Sequence, residues 1–332
     1  MNTLSNTSWL SRAALAAALV LGIACAPVVL AQDYPNKPVR LIVAQAAGSS
    51  ADILMRMVAQ RLSEAWGQQV IVDNRPGANG IIGMDALAKA RPDGYTIAMA
   101  APSPMTVNQF IYKSLPYKPL EDFAPVTQTT GITFVLVANP NLPVKTVADL
   151  VALAKQKPDG LNYSSPGVGN LSHLGAELLS SEAGIKMRHI PNKGDTPALL
   201  DVIAGNTDFT IITLPAALPH IRSGKLRLVA VCGRARSPVF PGVPTIAESG
   251  FPGVVIEGWS GIIAPAGTPP EIVAKLQRDF TKLFLAPEFK ESVSKQGADI
   301  AGTSPEAFAA FIRAEADKWS RVIKTSGLEF NQ

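Results

Sequence analysis

Cysteine and histidine are scarce in this chain of 332 residues, which has two cysteines and three histidines. Cys25 lies in an apolar N-terminal segment, so loss of that segment leaves Cys232 alone, and one thiol forms neither an internal disulfide nor a thiolate metal cluster. Cys232 ends the apolar run 226–232, which is typical of a buried strand, and we expect an inert core thiol. No His-x-x-x-His or Cys-x-x-Cys spacing occurs, so the sequence predicts no metal and no cofactor.

Long runs of one charge are also absent. The formal net charge is +4, and removal of Arg12 with the N-terminal segment lowers it to about +3. No cluster of lysine and arginine is present that would follow a nucleic-acid backbone. The sequence therefore predicts no nucleic-acid partner.

The chain opens with an apolar segment that is suited to export. Residues 13–30 are uncharged, and residues 29–31, Val-Leu-Ala, end the run with small side chains of the kind that precede a cleavage site. The run is also about long enough to cross a bilayer. It is rich in alanine, contains Pro27 and gives way at once to polar residues, so we predict a signal peptide of residues 1–31, cleaved near Ala31.

Strand-like and helix-like segments alternate along the remaining chain of about 300 residues, which predicts an α/β fold with two domains and largely parallel sheets. Strands are predicted at residues 39–43, 70–73, 96–100, 134–138, 161–164, 186–190, 209–212 and 226–231. Helices are predicted at residues 50–66, 81–90, 147–155, 172–183, 197–204, 270–285 and 305–324.

Two of the strand-to-helix connections are loops of small residues. The first loop contains Gly48 and Ser49, and the second is Tyr-Ser-Ser-Pro-Gly-Val-Gly-Asn-Leu-Ser at residues 163–172. Glycine lets a backbone approach a ligand closely, and the N-terminus of the helix behind each loop favours negative charge. The pattern indicates two sites that hold one anion, a ligand carboxylate, although tight turns alone would also explain it.

Other chemistries are poorly supported. Neither loop ends in the Lys-Ser/Thr of a P-loop, and residues 167–172 lack the third glycine of a dinucleotide fingerprint. No Gly-x-Ser-x-Gly elbow occurs, and His173 at a helix start is a better candidate for a catalytic base than His189 in a strand or His220 in a loop. Asp52 lies in the first turn of a helix, where it stabilises the helix end. We therefore expect no enzyme and no catalytic residue.

Six motifs along the chain resemble the Bug-type solute-binding proteins of tripartite tricarboxylate transporters. They are YPNKPVRLIV at 34–43, WGQQVIVDNRPGANG at 66–80, ARPDGY at 90–95, YSSPG at 163–167, PGVPTIAESGFP at 241–252 and APAGTP at 264–269. The resemblance covers nearly all of the chain from Tyr34 onward.

This resemblance implies an α/β, two-lobed periplasmic binding protein of the type II, Venus-flytrap kind, with a ligand cleft between its lobes. Lobe 1 would comprise residues 32–131 and 257–332, and lobe 2 residues 132–256. The protein would be a periplasmic monomer that delivers a small organic carboxylate to membrane permease subunits. A sensor that binds the same ligand and docks on a two-component receptor kinase is the alternative.

In that family the loops matching residues 45–52 and 164–170 grip a ligand carboxylate, partly through ordered water. The ligand-binding residues that we expect are Gln45, Ala47, Gly48, Ser49, Ser50, Asp52, Ser103, Ser164, Ser165, Gly167, Gly169, Asn170, Asn192, Ile212 and Trp259.

The sequence departs from the family pattern around this pocket. Gln45 stands where the family has an aromatic residue, Asn192 replaces a common tyrosine, and Ile212 or Thr213 replaces an acidic residue. We therefore expect a pocket that lacks that carboxylate, and a ligand without an amino group contacted by Gln45 and Asn192.

Overall fold

The structure is a computed structural model that describes residues 34–158, 160–294 and 298–326. The signal peptide predicted at residues 1–31 lies outside these residues and stays a prediction. From Lys37 onward the described chain forms one compact unit, so the lobe boundaries near residues 131 and 257 stay predictions as well. No described helix combines the length and the apolarity that crossing a bilayer requires.

The N-terminal third builds a small parallel sheet with helices packed on it. Strand β1 lies between β2 and β3 and is parallel to both. The helix after β1 places Met55, Val58 and Leu62 on its buried face at helical spacing, and it stops at Gly67 in the left-handed conformation. The elements are β1 (Val39–Val43), α1 (Ser50–Trp66), β2 (Val70–Asn74), α2 (Ile81–Ala88), β3 (Thr96–Ala100) and α3 (Asn108–Ile111).

The middle of the chain repeats this arrangement. Strand β5 lies between β6 and β7, again parallel to both, and its neighbouring helices bury the apolar residues of the largest core cluster. The elements here are α4 (Val147–Gln156), β5 (Asn162–Ser165), α5 (Leu171–Ala183), β6 (Arg188–Pro191), α6 (Asp195–Ala204), β7 (Phe209–Thr213), α7 (Leu214–Arg222) and β8 (Arg227–Val231).

Two long strands join the two halves. Strands β4 (Phe123–Ala138) and β9 (Glu257–Pro265) are antiparallel to each other; β9 also pairs with β3, and β4 with β7, β8 and the short β10 (Ala298–Ile300). The C-terminal helices are α8 (Pro270–Leu285), α9 (Pro287–Ser294) and α10 (Pro305–Ser326), of which α8 and α10 pack on β4. The described strands thus form one curled mixed sheet in the order β2-β1-β3-β9-β4-β7-β5-β6.

The prediction of largely parallel sheets is therefore wrong for the centre of the molecule. Each outer half is parallel, because a helix connects one strand to the next. The strands that pass between the halves run in both directions, and their pairings are antiparallel. Cys232 follows β8 and is buried, and burial raises the pKa of its thiol, so the expectation of an inert core thiol holds.

We predict that a methyl group at Gly261 destabilises the central pair of strands. A Cβ atom at Gly261 on β9 would overlap the ring of Phe308 and lie 2.9 Å from the carbonyl oxygen of Thr127. Overpacking of this kind costs about 1–3 kcal/mol. Denaturant unfolding should show this loss for Gly261→Ala. Gly131→Ala is the matched control, since a Cβ there meets nothing within 4 Å, and equal stability of the two variants would contradict the prediction.

Candidate functional site

One large cavity lies where the strand-to-helix loops of both halves meet. Its volume is about 1160 Å³, slightly above the usual range of about 300–1,000 Å³ for small-molecule sites. The wall is built from residues 43–51, 76–80, 99, 101–104, 166–168, 170–172 and 191–197, together with Thr213, Pro215 and Trp259 among others. The two loops predicted to hold an anion therefore face the same space.

Asp52 organises the first of these loops from behind. Its buried carboxylate accepts the N–H of Gly48 at 2.8 Å, Asn74 Nδ2 at 2.9 Å and Arg56 Nε at 3.0 Å. The Asp52 N–H donates in turn to Ser49 Oγ, which caps the helix. Gly48 has a φ of 79°, a conformation that glycine adopts without strain.

This network changes which donors are available to a ligand. The N–H of Gly48 points at Asp52 rather than into the cavity, and that of Ser49 donates to Ala46. The N–H groups of Ser50 and Ala51, in the first turn of α1, have no hydrogen-bond partner among the described residues. The N–H groups that this loop leaves without a partner therefore belong to α1 and not to the glycine.

The hydrogen bonds keep Asp52 ionised. Burial acts to raise the pKa of its carboxyl group. Hydrogen bonds from Arg56, Gly48 and Asn74, together with the charge of Arg56, lower the pKa by more than burial raises it, so the net pKa lies below the ordinary value of 3.8. The carboxylate therefore serves the loop as a fixed acceptor.

Neutral groups organise the second loop. His189 Nε2 lies 2.6 Å from Ser165 Oγ, and the N–H of Gly169 donates to His173 Nδ1 at 2.9 Å. The side chain of Asn170 caps α5 by accepting the N–H of His173. The two imidazole rings stack with centroids 4.0 Å apart, and the ring of Tyr163 stacks on both.

Burial keeps both histidines uncharged at neutral pH. It lowers the pKa of His173 to about 3, with a smaller contribution from His189, and it lowers the pKa of His189 to about 4. His173 is thus neither free nor placed beside a nucleophile. The third histidine, His220, lies in helix α7 rather than in a loop, because Pro215 and Pro219 are accommodated within that helix.

A third segment, residues 191–197, completes the wall and runs from the end of β6 into the first turn of α6. The sequence pointed to Asn192 in this segment but not to its other residues. Asp195, the first residue of α6, lies there, and Ser50 Oγ at the start of α1 donates to its Oδ2 at 3.4 Å. Asp195 thus brings to the cavity wall a carboxylate from a different loop than the one at which Ile212 or Thr213 replaces the family's acidic residue. The run Gly194-Asp-Thr-Pro197 is a helix-start pattern that would have placed Asp195 here.

The cavity wall also carries two polar atoms without partners. Trp259 Nε1 and Thr213 Oγ1 are buried and make no hydrogen bond within the described part of the chain. An unsatisfied buried polar group costs about 1–3 kcal/mol. Both residues line the cavity.

Most of the expected ligand-binding residues line the cavity. They are Gln45, Ala47, Gly48, Ser49, Ser50, Ser103, Gly167, Asn170, Asn192 and Trp259. The others lie behind the wall, and they are Asp52, Ser164, Ser165, Gly169 and Ile212. Ser164 Oγ donates to Ala198 and Ile212 is fully buried, so these five support the loops from inside rather than face the cavity.

The electrostatic character of the cavity comes from helix ends. Helices α1, α5, α6 and α7 all begin at the cavity wall. A helix N-terminus carries about half a positive charge and presents N–H groups without partners. The charged lining residues among those described are Lys193 and Asp195. No group of metal-ligating side chains occurs in the described residues.

A curled mixed sheet whose two halves direct their loops into one cavity is the architecture of a two-lobed periplasmic binding protein. Residues 54–328 match the family model of the tripartite tricarboxylate transporter family receptor, TctC. The chain therefore belongs to this family of solute-binding receptors, as the sequence motifs indicated, and the family's proteins are periplasmic and are not enzymes.

Related proteins agree with this assignment. The chain is 37% identical to protein BugT of Bordetella pertussis over 300 residues, which is 90% of this chain and 92% of BugT. A solved structure of R. palustris Rpa4515 with adipate is 35% identical, with a TM-score of 0.87 over 90% of this chain and 99% of that one. MatC of Rhodopseudomonas palustris, solved with bound malate, is 28% identical, with a TM-score of 0.83 over 87% and 100%.

We predict that Asp52→Asn destabilises the protein in a pH-dependent way. Hydrogen bonds to a charged group contribute about 1.5–3 kcal/mol, and the lowered pKa of Asp52 means that this stability is present above its unfolded pKa and is lost as the pH falls through the folded one. Denaturant unfolding should give a gap between wild type and variant at pH 7 that closes below about pH 4. A gap that stays constant with pH would contradict this role.

We also predict that His189 contributes to the loss of stability in acid. As the pH falls below 6.5, the unfolded chain takes up a proton that the folded His189, with its pKa lowered to about 4, does not. The free energy of unfolding then falls by up to about 1.4 kcal/mol per pH unit. Unfolding curves between pH 6.5 and 4 should show a shallower fall for His189→Gln. A curve for His189→Gln that runs parallel to wild type over this range would refute the prediction.

Proposed function

We propose that this protein is exported to the periplasm, captures a small organic carboxylate in its cavity and delivers it to the permease of a tripartite tricarboxylate transporter. The observation that carries the proposal is the convergence of four helix N-termini on a cavity with a single described acidic residue. A helix end of this kind favours a carboxylate, because it carries partial positive charge and the first-turn N–H groups that are not capped have no partner within the helix.

The relatives support a carboxylate ligand. One solved structure holds adipate and another holds malate, and both proteins are similar to this chain over nearly their full length. The cavity is larger than either molecule requires, so water, or closure of the two halves around the ligand, fills the rest. Closure follows ligand binding only if the ligand contacts the closed state better than the open one.

The proposal predicts that a negative charge beside α1 weakens binding. Ala47 is exposed at the cavity wall, just before the capped start of that helix. Ala47→Asp should reduce the affinity for a bound carboxylate by about tenfold or more, because it competes for the positive helix end and repels the ligand. Isothermal titration with malate, adipate and succinate measures this effect.

Ala47→Asn is the matched control, since it has the same size without the charge, and its affinity should stay within about threefold of wild type. Equal losses in the two variants would show a steric effect and contradict an anion site at α1. Failure of every carboxylate to bind the wild-type protein would refute the proposed ligand class.

Delivery to a permease has a separate test. Deletion of the gene from the organism that carries it should abolish uptake of the labelled carboxylate, and restoring the gene should restore uptake. Normal uptake, with loss of a transcriptional response to the same compound, would replace the transport role with the sensor role.

A further inference from the structure

One acidic residue on the cavity wall would repel a bound anion. Asp195 lies on the wall at the start of α6, and none of the described lysines, arginines or histidines forms an ion pair with it. The other charged lining residue, Lys193, is exposed two residues away. A ligand carboxylate placed next to Asp195 would meet charge of its own sign.

The position of Asp195 relative to the anion donors is close and defined. Ser50 contributes an N–H without a partner to the first turn of α1, and its hydroxyl group donates to Asp195 Oδ2 at 3.4 Å. Donors for a carboxylate and a carboxylate acceptor therefore lie on either side of one residue. An α-amino acid carries a carboxylate and an ammonium group on the same carbon atom. Its two charged groups therefore fit two sites that lie this close together.

The surrounding polar atoms also point to a ligand in this space. Trp259 is 2% exposed and lines the cavity, and its Nε1 has no partner in the described structure. Thr213 Oγ1 is buried without a partner as well, and Thr213 precedes α7 on the same wall. The cavity thus contains donors, together with a carboxylate that has no ion-pair partner among the described residues.

We propose that Asp195 is a specificity-determining residue that accepts the ammonium group of an α-amino carboxylate whose carboxylate group lies at the start of α1. This inference rests on the proposed function and narrows its ligand class. It replaces the expectation, drawn from the sequence, of a ligand without an amino group. That expectation rested on the replacement of the family's acidic residue by Ile212 or Thr213, and Asp195 supplies a carboxylate from a different loop.

Burial among the cavity walls raises the pKa of Asp195 to about 6, and the nearby hydroxyl groups of Ser50 and Thr213 act in the opposite direction. The carboxyl group is therefore mostly ionised at neutral pH in the absence of ligand. An ammonium group beside it favours that ionised form, whereas a second ligand carboxylate disfavours it.

Isothermal titration with two matched pairs of ligands tests the inference. The pairs are succinate with aspartate and adipate with 2-aminoadipate, whose members differ only in the α-amino group. In the wild-type protein the amino member of at least one pair should bind about tenfold more tightly or better. Asp195→Asn keeps the shape of the side chain and removes its charge, so it should bring that ratio close to one.

Asp317→Asn is the control, because Asp317 is exposed on α10 and does not line the cavity; it should keep the wild-type ratio. Wild-type preference for the plain dicarboxylate in both pairs, or an unchanged ratio in Asp195→Asn, overturns the inference and leaves the proposed function standing. Binding of none of the four ligands overturns both. If Asp195→Asn does not fold, as circular dichroism would show, the wild-type ratios alone decide.

Discussion

The buried carboxylate of Asp52 is the constraint on which the ligand side of this protein depends. Burying an ion costs several kcal/mol, and this cost is offset only because Gly48, Arg56 and Asn74 all donate to it. The three donors come from the loop after β1, from α1 and from β2, so a single charge fixes their relative positions. With Arg56 paired to it, Asp52 adds little net negative charge to the helix end that faces the ligand.

Neutral side chains hold the second loop in place. The N–H of Gly169 donates to His173, and the N–H of Gly167 donates to Ser165 Oγ, which in turn lies against His189. Burial keeps both histidines neutral. The carboxylate behind this loop, Glu177, is only partly buried and lies 4.0 Å from His173 Nε2. Both loops connect a strand to a helix. The first loop is sensitive to loss of the charge on Asp52, and the second is sensitive to protonation of His173 or His189.

Local patterns in the sequence predicted the outer halves of the fold well. Periodicity placed β1, α1, β3 and α8 at their observed bounds, and Gly48 and Gly167 marked the two loops that reach the cavity. The central strands were not predicted in full, because the first half of β4 and all of β9 are set by pairing across about 130 residues of chain. The sequence also did not show which side chains are buried behind the cavity wall. Ser164 and Ile212 were therefore assigned to the ligand although they lie behind that wall.

Asp195 shows why the particular ligand is harder to predict from the sequence than the chemical class of the ligand. Each helix end contributes about 0.3–1 kcal/mol to an anion, and up to about 2 kcal/mol when partly buried. A like charge at 4 Å costs about 4 kcal/mol at an effective dielectric constant of 20, enough to cancel several helix ends. Protonating a carboxyl group whose pKa is about 6 costs only about 1.4 kcal/mol at pH 7. A dicarboxylate held against Asp195 would therefore bind together with a proton, whereas an α-amino acid would bind without one. One side chain on an otherwise general anion cavity thus links the charge of the ligand to the protonation state of the protein.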